Sequence, residues 1–209
     1  MTGVNETQRL NSLLRTHFGS LIIEDFISPA GVKRVSENAY SKLSSAMKGI
    51  KEHPAKDTIK EETHASLYEF ITNLKNDPLP VQYSKAAQEN FDARHHAWCV
   101  NRMTAFNEHS QAPDEKDFTL TYGRAQMWIS LKLKYLTLLG HPTAVANYRY
   151  FHIPVDYADT VHPADALGIT RPLGITRPLG GVRSSKLERA QYWDYQQQFR
   201  AAGINLLDF

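Results

Sequence analysis

The stretch WISLKLKYL, residues 128–136, is the most apolar segment of the chain and decides the fold class that we expect. On a helical wheel, at about 100° per residue, the apolar side chains of this region cover well over half of the circumference. The polar side chains share the remaining narrow strip: Gln126, Ser130, Lys134 and Thr137. Lys132 instead falls near the middle of the apolar arc. The pattern predicts a largely buried central helix that holds one lysine in an apolar environment.

Lys132 needs a physical explanation, because an ammonium group in an apolar site costs on the order of several kcal/mol. Its side chain can extend to an edge of the helix, with its stem packed on Trp128. It can pair with a buried carboxylate, and Asp156 is the nearest plausible partner in sequence. It can also lose its proton and become an amine of the kind used in Schiff-base chemistry. The sequence leaves these three outcomes open, whereas Lys134 is expected on an exposed strip.

The remaining patterns are helical as well, so the expected fold is all-α with about six main helices. Amphipathic spacing and cap signals predict helices over 5–18, 33–51, from the cap Asp57 to about 74, 84–108, 119–139 and 184–202. The segment NDPLPVQ (76–82) cannot be helical and marks a boundary between two joined lobes, 1–76 and 83–209, unless the chain is one domain. FHIPVD (151–156) is expected to be extended and to flank a cleft with the central helix.

Composition excludes several functional classes. Among 209 residues the net charge is only +2, and the single cysteine, Cys99, fits a reducing compartment. No apolar run of about 20 residues and no signal pattern is present, so we expect a cytoplasmic protein without a membrane span. ARHHAW (93–98) lacks metal-ligand spacing, and phosphate-binding glycine loops are absent from the sequence. We therefore expect no metal and no cofactor.

Basic residues concentrate in the C-terminal half. The segment 118–187 holds eight lysines and arginines against three acids, which favours a polyanion or an acidic partner. It includes a six-residue unit, LGITRP, that is repeated once over 167–178. The repeat is interpreted either as an insertion in a surface loop or as a loop that presents Arg171 and Arg177 to phosphates.

The run TYGRAQMWISLKLKYLTLLG (121–140) followed by FHIPVD (151–156) resembles a pattern in uncharacterised small prokaryotic helical proteins. The same run distantly resembles the helix-hairpin-helix DNA glycosylases of the 8-oxoguanine-removing branch. In that superfamily a catalytic lysine lies at the start of a helix, and a Pro-Val-Asp segment supplies the aspartate. Here Val155-Asp156 matches the aspartate motif, but Met127 stands at the helix start and the lysines follow later.

This resemblance implies a DNA-binding protein of DNA repair, a hydrolase with glycosylase or lyase activity on damaged bases. Lys132 or Lys134 would be the attacking amine, and Asp156 would stabilise the developing positive charge. An extruded base would stack on an aromatic side chain. The expected nucleic-acid contacts are Tyr122, Arg124, Trp128, His152, Arg171 and Arg177. Asp156 can equally be a helix N-cap.

Two alternatives come from other classes. Arg102 and His109 resemble the Arg-x(4–6)-His motif of the all-helical HEPN ribonucleases, in which the histidine acts on the ribose 2′-OH and the arginine holds the phosphate. The same two residues can also be ordinary polar side chains near a helix end. The third hypothesis is a non-catalytic helical module of a mobile-element or defence system that binds a protein partner.

Overall fold

The computed structural model describes residues 28–45, 54–109, 119–155, 187–201 and 203, and these form an all-α fold. The helices are α1 (Pro29–Ser45), α2 (Lys56–Asn76), α3 (Lys85–His109), α4 (Tyr122–Leu138), α5 (Pro142–Asn147) and α6 (Arg189–Ala201), with a 3₁₀ turn at Tyr148–Tyr150. No strand occurs within the described ranges. The expected all-α class with about six helices is confirmed. The predicted helix 5–18, Asp156, Arg171, Arg177 and the LGITRP repeat lie outside the described residues.

The last helix begins at Arg189, later than the predicted 184, and the starts of α1 and α2 also differ from the prediction. The Ser28-Pro29 pair does not break the chain but opens α1: the Ser28 hydroxyl accepts a hydrogen bond from Gly31 N at 3.1 Å, and proline needs no N–H donor at a first helical position. In α2 the N-cap is Ala55, and the expected cap Asp57 lies inside the first turn. A carboxylate there still favours the positive end of the helix dipole.

The central helix α4 is bounded as its sequence requires. Thr121 caps its start by accepting a hydrogen bond from Arg124 N. Its end is closed by Gly140, whose φ of 79° suits a residue without a side chain. The following Pro142 begins the short helix α5, which the sequence patterns did not predict.

Burial of α4 exceeds the expectation, because three members of its polar strip are buried. Gln126, Ser130 and Thr137 are all enclosed, and only Lys134 is partly exposed. The helix packs against α1, α3, α5 and α6, so neighbouring helices cover most of its circumference. Thr137 satisfies its hydroxyl by donating to Leu133 O at 2.8 Å. The exposed strip was therefore predicted incorrectly, except at Lys134.

The segment between α2 and α3 is non-helical as expected, and it is anchored to the 3₁₀ turn. The Tyr150 hydroxyl lies 2.8 Å from Pro80 O and 2.9 Å from Gln82 O, and Leu79 N donates to Asn147 Oδ1 at 3.2 Å. Buried side chains before and after this segment belong to one apolar cluster. The division into lobes 1–76 and 83–209 remains a prediction, because shared packing does not report whether either part folds alone.

None of the described helices is long and apolar enough to cross a membrane.

Candidate functional site

Lys132 lies in the interior and does not reach a helix edge. Its exposed fraction is 0%, and its Nζ has no hydrogen-bond partner among the described residues. Burial lowers its pKa well below the usual value, so the amine is held towards its neutral form. The alternative in which the side chain extends to solvent is therefore excluded. The Lys132 amine interacts electrostatically with Glu37 of α1, His64 of α2 and His141, which precedes α5.

Lys132 faces away from the segment that precedes Asp156. It interacts electrostatically with Glu37 of α1, which raises its pKa against the effect of burial. Another side of α4, about 120° around the helix from Lys132, carries Gln126, whose amide donates to Val155 O at 3.2 Å. Ser130, on that same side, is about 200° from Lys132 around the helix. The pairing of Lys132 with Asp156 stays a prediction, and the described residues place the two chain regions on different faces of α4.

The remaining sequence-predicted contact residues are spread over several environments. Trp128 is fully buried in the core, so an extruded base could stack on it only after the helices open. Arg124 is partly exposed and donates from Nη1 to Thr119 O at 2.9 Å. Lys134 is also partly exposed. Tyr122 borders a cavity, whereas His152 is enclosed.

His152 is the centre of a buried polar network that joins α3, α6 and the 151–155 segment. Its Nε2 lies 2.6 Å from Asp92 Oδ1, and its Nδ1 lies 2.7 Å from the Tyr192 hydroxyl. Arg200 binds both oxygens of the Asp92 carboxylate, at 2.6 and 3.1 Å. Gln88 donates to the same carboxylate at 2.9 Å and to Tyr150 O at 3.0 Å. A carboxylate, a histidine, a guanidinium and an amide are thus brought together from distant parts of the chain.

The electrostatics of this network define a direction for its hydrogen bonds. Burial lowers the pKa of His152 in spite of the opposing effect of Asp92, so the imidazole is neutral near pH 7. Burial raises the pKa of Asp92, but the hydrogen bonds from His152 and Arg200 outweigh it and the net pKa is lowered. The neutral ring therefore donates from Nε2–H to the ionised carboxylate and accepts the Tyr192 O–H at Nδ1.

The network extends towards α4 through a second histidine. His95 Nε2 lies 3.5 Å from the Tyr192 hydroxyl and 3.4 Å from Ser130 Oγ. Burial lowers the pKa of His95 well below its usual value and raises that of Cys99, whose Sγ is 3.8 Å from His95 Nδ1. Both side chains are therefore neutral at physiological pH. Within the described residues these groups are satisfied by one another, which is the behaviour of a network that specifies packing.

Sequence reasoning found His152 but missed its partners. Asp92 follows Phe91 on the buried side of α3, so a charged residue at an apolar position was the available signal, as it was for Lys132. Arg200 and Tyr192 carried no such signal, because an arginine and a tyrosine on an amphipathic helix are ordinary. The contact between α3 and α6 spans 108 positions in sequence and follows only from the tertiary packing.

A cavity of about 770 Å³ opens beside this network, between α3 and the start of α6. Its lining residues are Glu89, Asp92, Ala93, His96, Tyr122, Glu188, Arg189, Ala190 and Trp193. We call this cavity the α3–α6 groove. Its volume lies within the range of small-ligand sites, roughly 300–1,000 Å³.

The groove combines aromatic rings with carboxylates. Trp193 is 37% exposed, and its ring is held by the Arg200 guanidinium at 5.3 Å from the ring centroid. His96 Nδ1 lies 3.3 Å from the Tyr122 hydroxyl. Burial raises the pKa of Tyr122, so this hydroxyl stays protonated. Glu89 and Glu188 are exposed at the groove, with Arg189 as a basic neighbour.

Arg102 and His109 share one face of α3, which packs against α2. The His109 Nε2 lies 3.2 Å from Glu62 Oε1, and Arg102 lines a smaller cavity nearer the middle of the helix. They are seven positions apart along α3, about 10 Å at 1.5 Å per residue. No contact between the two side chains is present among the described residues, so the ribonuclease hypothesis, which needs them to meet across a dimer or a cleft, stays a prediction.

Within the described part of the chain, no group of three or more histidine, cysteine, aspartate or glutamate side chains is arranged to hold a metal ion.

No family model, no curated protein and no solved structure matches this chain.

Proposed function

We propose that this chain is a non-catalytic helical binding module, and that its α3–α6 groove receives a positively charged side chain of a protein partner. One observation carries the proposal: an exposed tryptophan, Trp193, borders the same cavity as the exposed carboxylates of Glu89 and Glu188. Aromatic faces attract cations through the ring quadrupole, and carboxylates provide the opposite charge. An arginine guanidinium is planar and satisfies both requirements at once.

The groove already displays this recognition chemistry within the chain itself. Arg200 places its guanidinium over the Trp193 ring and binds the Asp92 carboxylate with both terminal nitrogens. This contact orients the tryptophan before any ligand arrives. A preorganised aromatic side chain loses little conformational freedom on binding, which favours affinity.

The polar groups near the groove are better suited to support than to catalysis. Asp92 accepts hydrogen bonds from Gln88, His152 and Arg200, and His152 has both ring nitrogens engaged. Burial raises the pKa of Tyr122, so its hydroxyl stays protonated at neutral pH and is a poor acid. A general acid–base mechanism needs a group that can exchange protons with a substrate, and these groups are committed to one another.

The proposal is tested with two small probes that differ in charge but hardly in shape. N-acetyl-arginine methylamide and its neutral citrulline analogue would be titrated into ¹⁵N-labelled protein, and the indole N–H signal of Trp193 would be followed. We expect the arginine probe alone to shift that signal, with an affinity that falls as salt rises. The double variant Glu89→Gln/Glu188→Gln should lose the response.

The matched control is Glu108→Gln, which removes an exposed carboxylate from α3 outside the groove. Its titration should equal that of the unchanged protein. Equal shifts with arginine and citrulline probes, or full binding by the double variant, would contradict recognition of a cation in this groove.

Base-excision activity on DNA is a second proposal, and one observation favours it. Burial lowers the pKa of Lys132, and a neutral amine is the form that attacks a sugar carbon to give a Schiff base. The enclosure of this amine means that the helices would have to open around α4, while Lys134 is the more accessible alternative.

Borohydride trapping tests this second proposal on duplexes that carry 8-oxoguanine, uracil or an abasic site. A covalent adduct that disappears in Lys132→Ala or in Lys134→Ala, but not in both, would identify the amine. If no duplex gives an adduct or a gel shift, base excision is excluded and Lys132 is a structural residue.

A further inference from the structure

We infer that the partner presents a C-terminal arginine to the α3–α6 groove, and that Arg189 binds the terminal carboxylate of that residue. The inference rests on the proposed function, which assigns the guanidinium of the same ligand to the Trp193 side of the groove. One observation leads to it: the groove is lined by an exposed guanidinium as well as by exposed carboxylates. A purely cationic ligand is repelled by that guanidinium, so the complementary ligand carries both charges.

Arg189 lies at one end of the groove, near His96 and Tyr122. Burial and the positive charge of Arg189 both lower the pKa of His96. Burial raises the pKa of Tyr122, and Arg189 acts against that effect. The Arg189 side chain is exposed, and no carboxylate pairs with it within the described part of the chain. Its N–H donors are therefore available to a ligand.

Trp193 and Glu89 lie towards the other end of the groove. The centroid of the Trp193 ring is 6.0 Å from that of His152, and His152 contacts Asp92 at 2.6 Å. Along α3, Asp92 comes between Glu89 and His96. The aromatic face and the Glu89 carboxylate are therefore displaced along the groove from the exposed guanidinium, and the groove has one cation-binding end and one anion-binding end.

The spacing of the two ends fits a single arginine residue. Arg189 and Trp193 are four positions apart on α6, so they share one face of the helix and lie about 6 Å apart along its axis. An extended arginine separates its guanidinium from its α-carboxylate by a similar length. Ala190 of α6 and Ala93 of α3 also line the groove, and their small side chains leave room for the aliphatic part of the ligand.

Direct contact with a guanidinium explains why the group bound there is a carboxylate. A guanidinium donates two parallel N–H bonds to the two oxygens of a carboxylate, which an ammonium group does not. Glu188 precedes Arg189 and reduces the net positive charge at this end, so the preference depends on these bonds rather than on long-range attraction. A C-terminal arginine supplies the carboxylate, whereas an internal arginine continues as an amide.

Three probes test which form of arginine the groove binds. N-acetyl-arginine has the free carboxylate of a C-terminal residue, N-acetyl-arginine methylamide resembles an internal residue, and free arginine adds an α-ammonium group. Each is titrated at constant ionic strength into ¹⁵N-labelled protein, and the Trp193 indole N–H signal is followed. Only three tryptophans occur in the chain, so this signal is assigned by its loss in Trp193→Phe.

We expect N-acetyl-arginine to bind roughly tenfold or more tightly than its methylamide, because the carboxylate adds a charged hydrogen bond. Arg189→Gln should lower the affinity for N-acetyl-arginine to that for the methylamide, without weakening binding of the methylamide. Arg189→Lys keeps the charge but not the paired donors and should give an intermediate preference. Arg34→Gln, which removes an exposed arginine of α1 outside the groove, is the matched control and should bind as the unchanged protein does.

The outcomes separate this inference from the proposed function. If neither N-acetyl probe shifts the Trp193 signal, both proposals fail. If the two N-acetyl probes bind equally, or if the preference for the carboxylate survives in Arg189→Gln, the groove still recognises a cation and only the present inference is overturned. Tighter binding of free arginine than of N-acetyl-arginine would also overturn it, because the ligand would then be a small amino acid and not the end of a chain.

Discussion

Replacing Lys132 by methionine should stabilise this protein. Methionine has a flexible, unbranched side chain of similar length, so it can fill the same space in the core. It removes an amine that is 0% exposed and has no hydrogen-bond partner among the described residues. The change therefore deletes a desolvation cost and keeps the packing contacts of the stem.

The expected gain follows from substitutions of this type. Exchanging buried charged groups for apolar side chains of similar volume is often neutral or stabilising, by about 1–4 kcal/mol. We expect Lys132→Met to lie near the upper limit of this range, because burial lowers the pKa of Lys132 well below its usual value. For a chain of this length, each kcal/mol raises the midpoint of thermal unfolding by about 2–4 °C.

The pH dependence of stability gives an independent readout. The folded-state pKa of Lys132 is lowered, so between that value and about 10.4 the unfolded chain binds the additional proton. The free energy of unfolding of the unchanged protein should therefore rise with pH in this window, by up to about 1.4 kcal/mol per pH unit from this group. Lys132→Met should lack that contribution. Urea unfolding from about pH 7 to about 9.5 measures the difference between the two slopes.

A solvent-exposed lysine provides the control. The Lys85 side chain is 90% exposed and forms only a 3.9 Å ion pair with Glu89, so Lys85→Met should change stability by less than about 0.5 kcal/mol. If Lys132→Met destabilises the protein by more than about 1 kcal/mol, or keeps the slope of the unchanged protein, the reasoning is refuted. Either result would mean that the folded protein stabilises the charged form of Lys132.

Three further predictions concern other buried groups. Asp92→Asn should lower the free energy of unfolding by about 3 kcal/mol, because it leaves the Arg200 charge without its carboxylate. Near-unchanged urea unfolding of this variant would contradict the network. In the unchanged protein the stabilisation by Asp92 should fade as pH falls through its lowered pKa. Burial lowers the pKa of His64 to about 4. Between pH 6.5 and 4 the unfolded chain therefore binds a proton that the folded protein does not, and the free energy of unfolding should decrease as pH falls. His64→Gln should flatten that decrease. Cys99, buried and with a raised pKa, should react with a thiol reagent only after denaturation; rapid labelling of the folded protein would exclude the described packing.

Local chemistry made the helices predictable. The apolar spacing of residues 124–139 predicted α4 to within three residues at its start, because a helix that buries most of its surface needs apolar side chains around its circumference. The break at 76–82 followed from two prolines, which restrict the backbone whatever the surroundings. The start of α1 was missed because a Ser-Pro pair is compatible both with a break and with a first helical turn.

The candidate sites were less predictable, since each depends on which helix faces which. Lys132 was recognised as unusual from its position on the wheel, but whether it reached solvent depended on which helices pack over that side of α4. The groove beside Trp193 needs α3 and α6 to meet, although Asp92 and Arg200 are 108 residues apart. A periodic pattern contains no information about such a contact.

The sequence by itself determined the all-α class, the existence of the central helix and the oddity of one lysine inside it, because these depend on interactions among residues within a few turns of one another. The tertiary structure alone decided that three members of the polar strip are buried and that His152 binds Asp92 and Tyr192. Those outcomes depend on how side chains from different helices pack against one another, and only the folded chain specifies that packing.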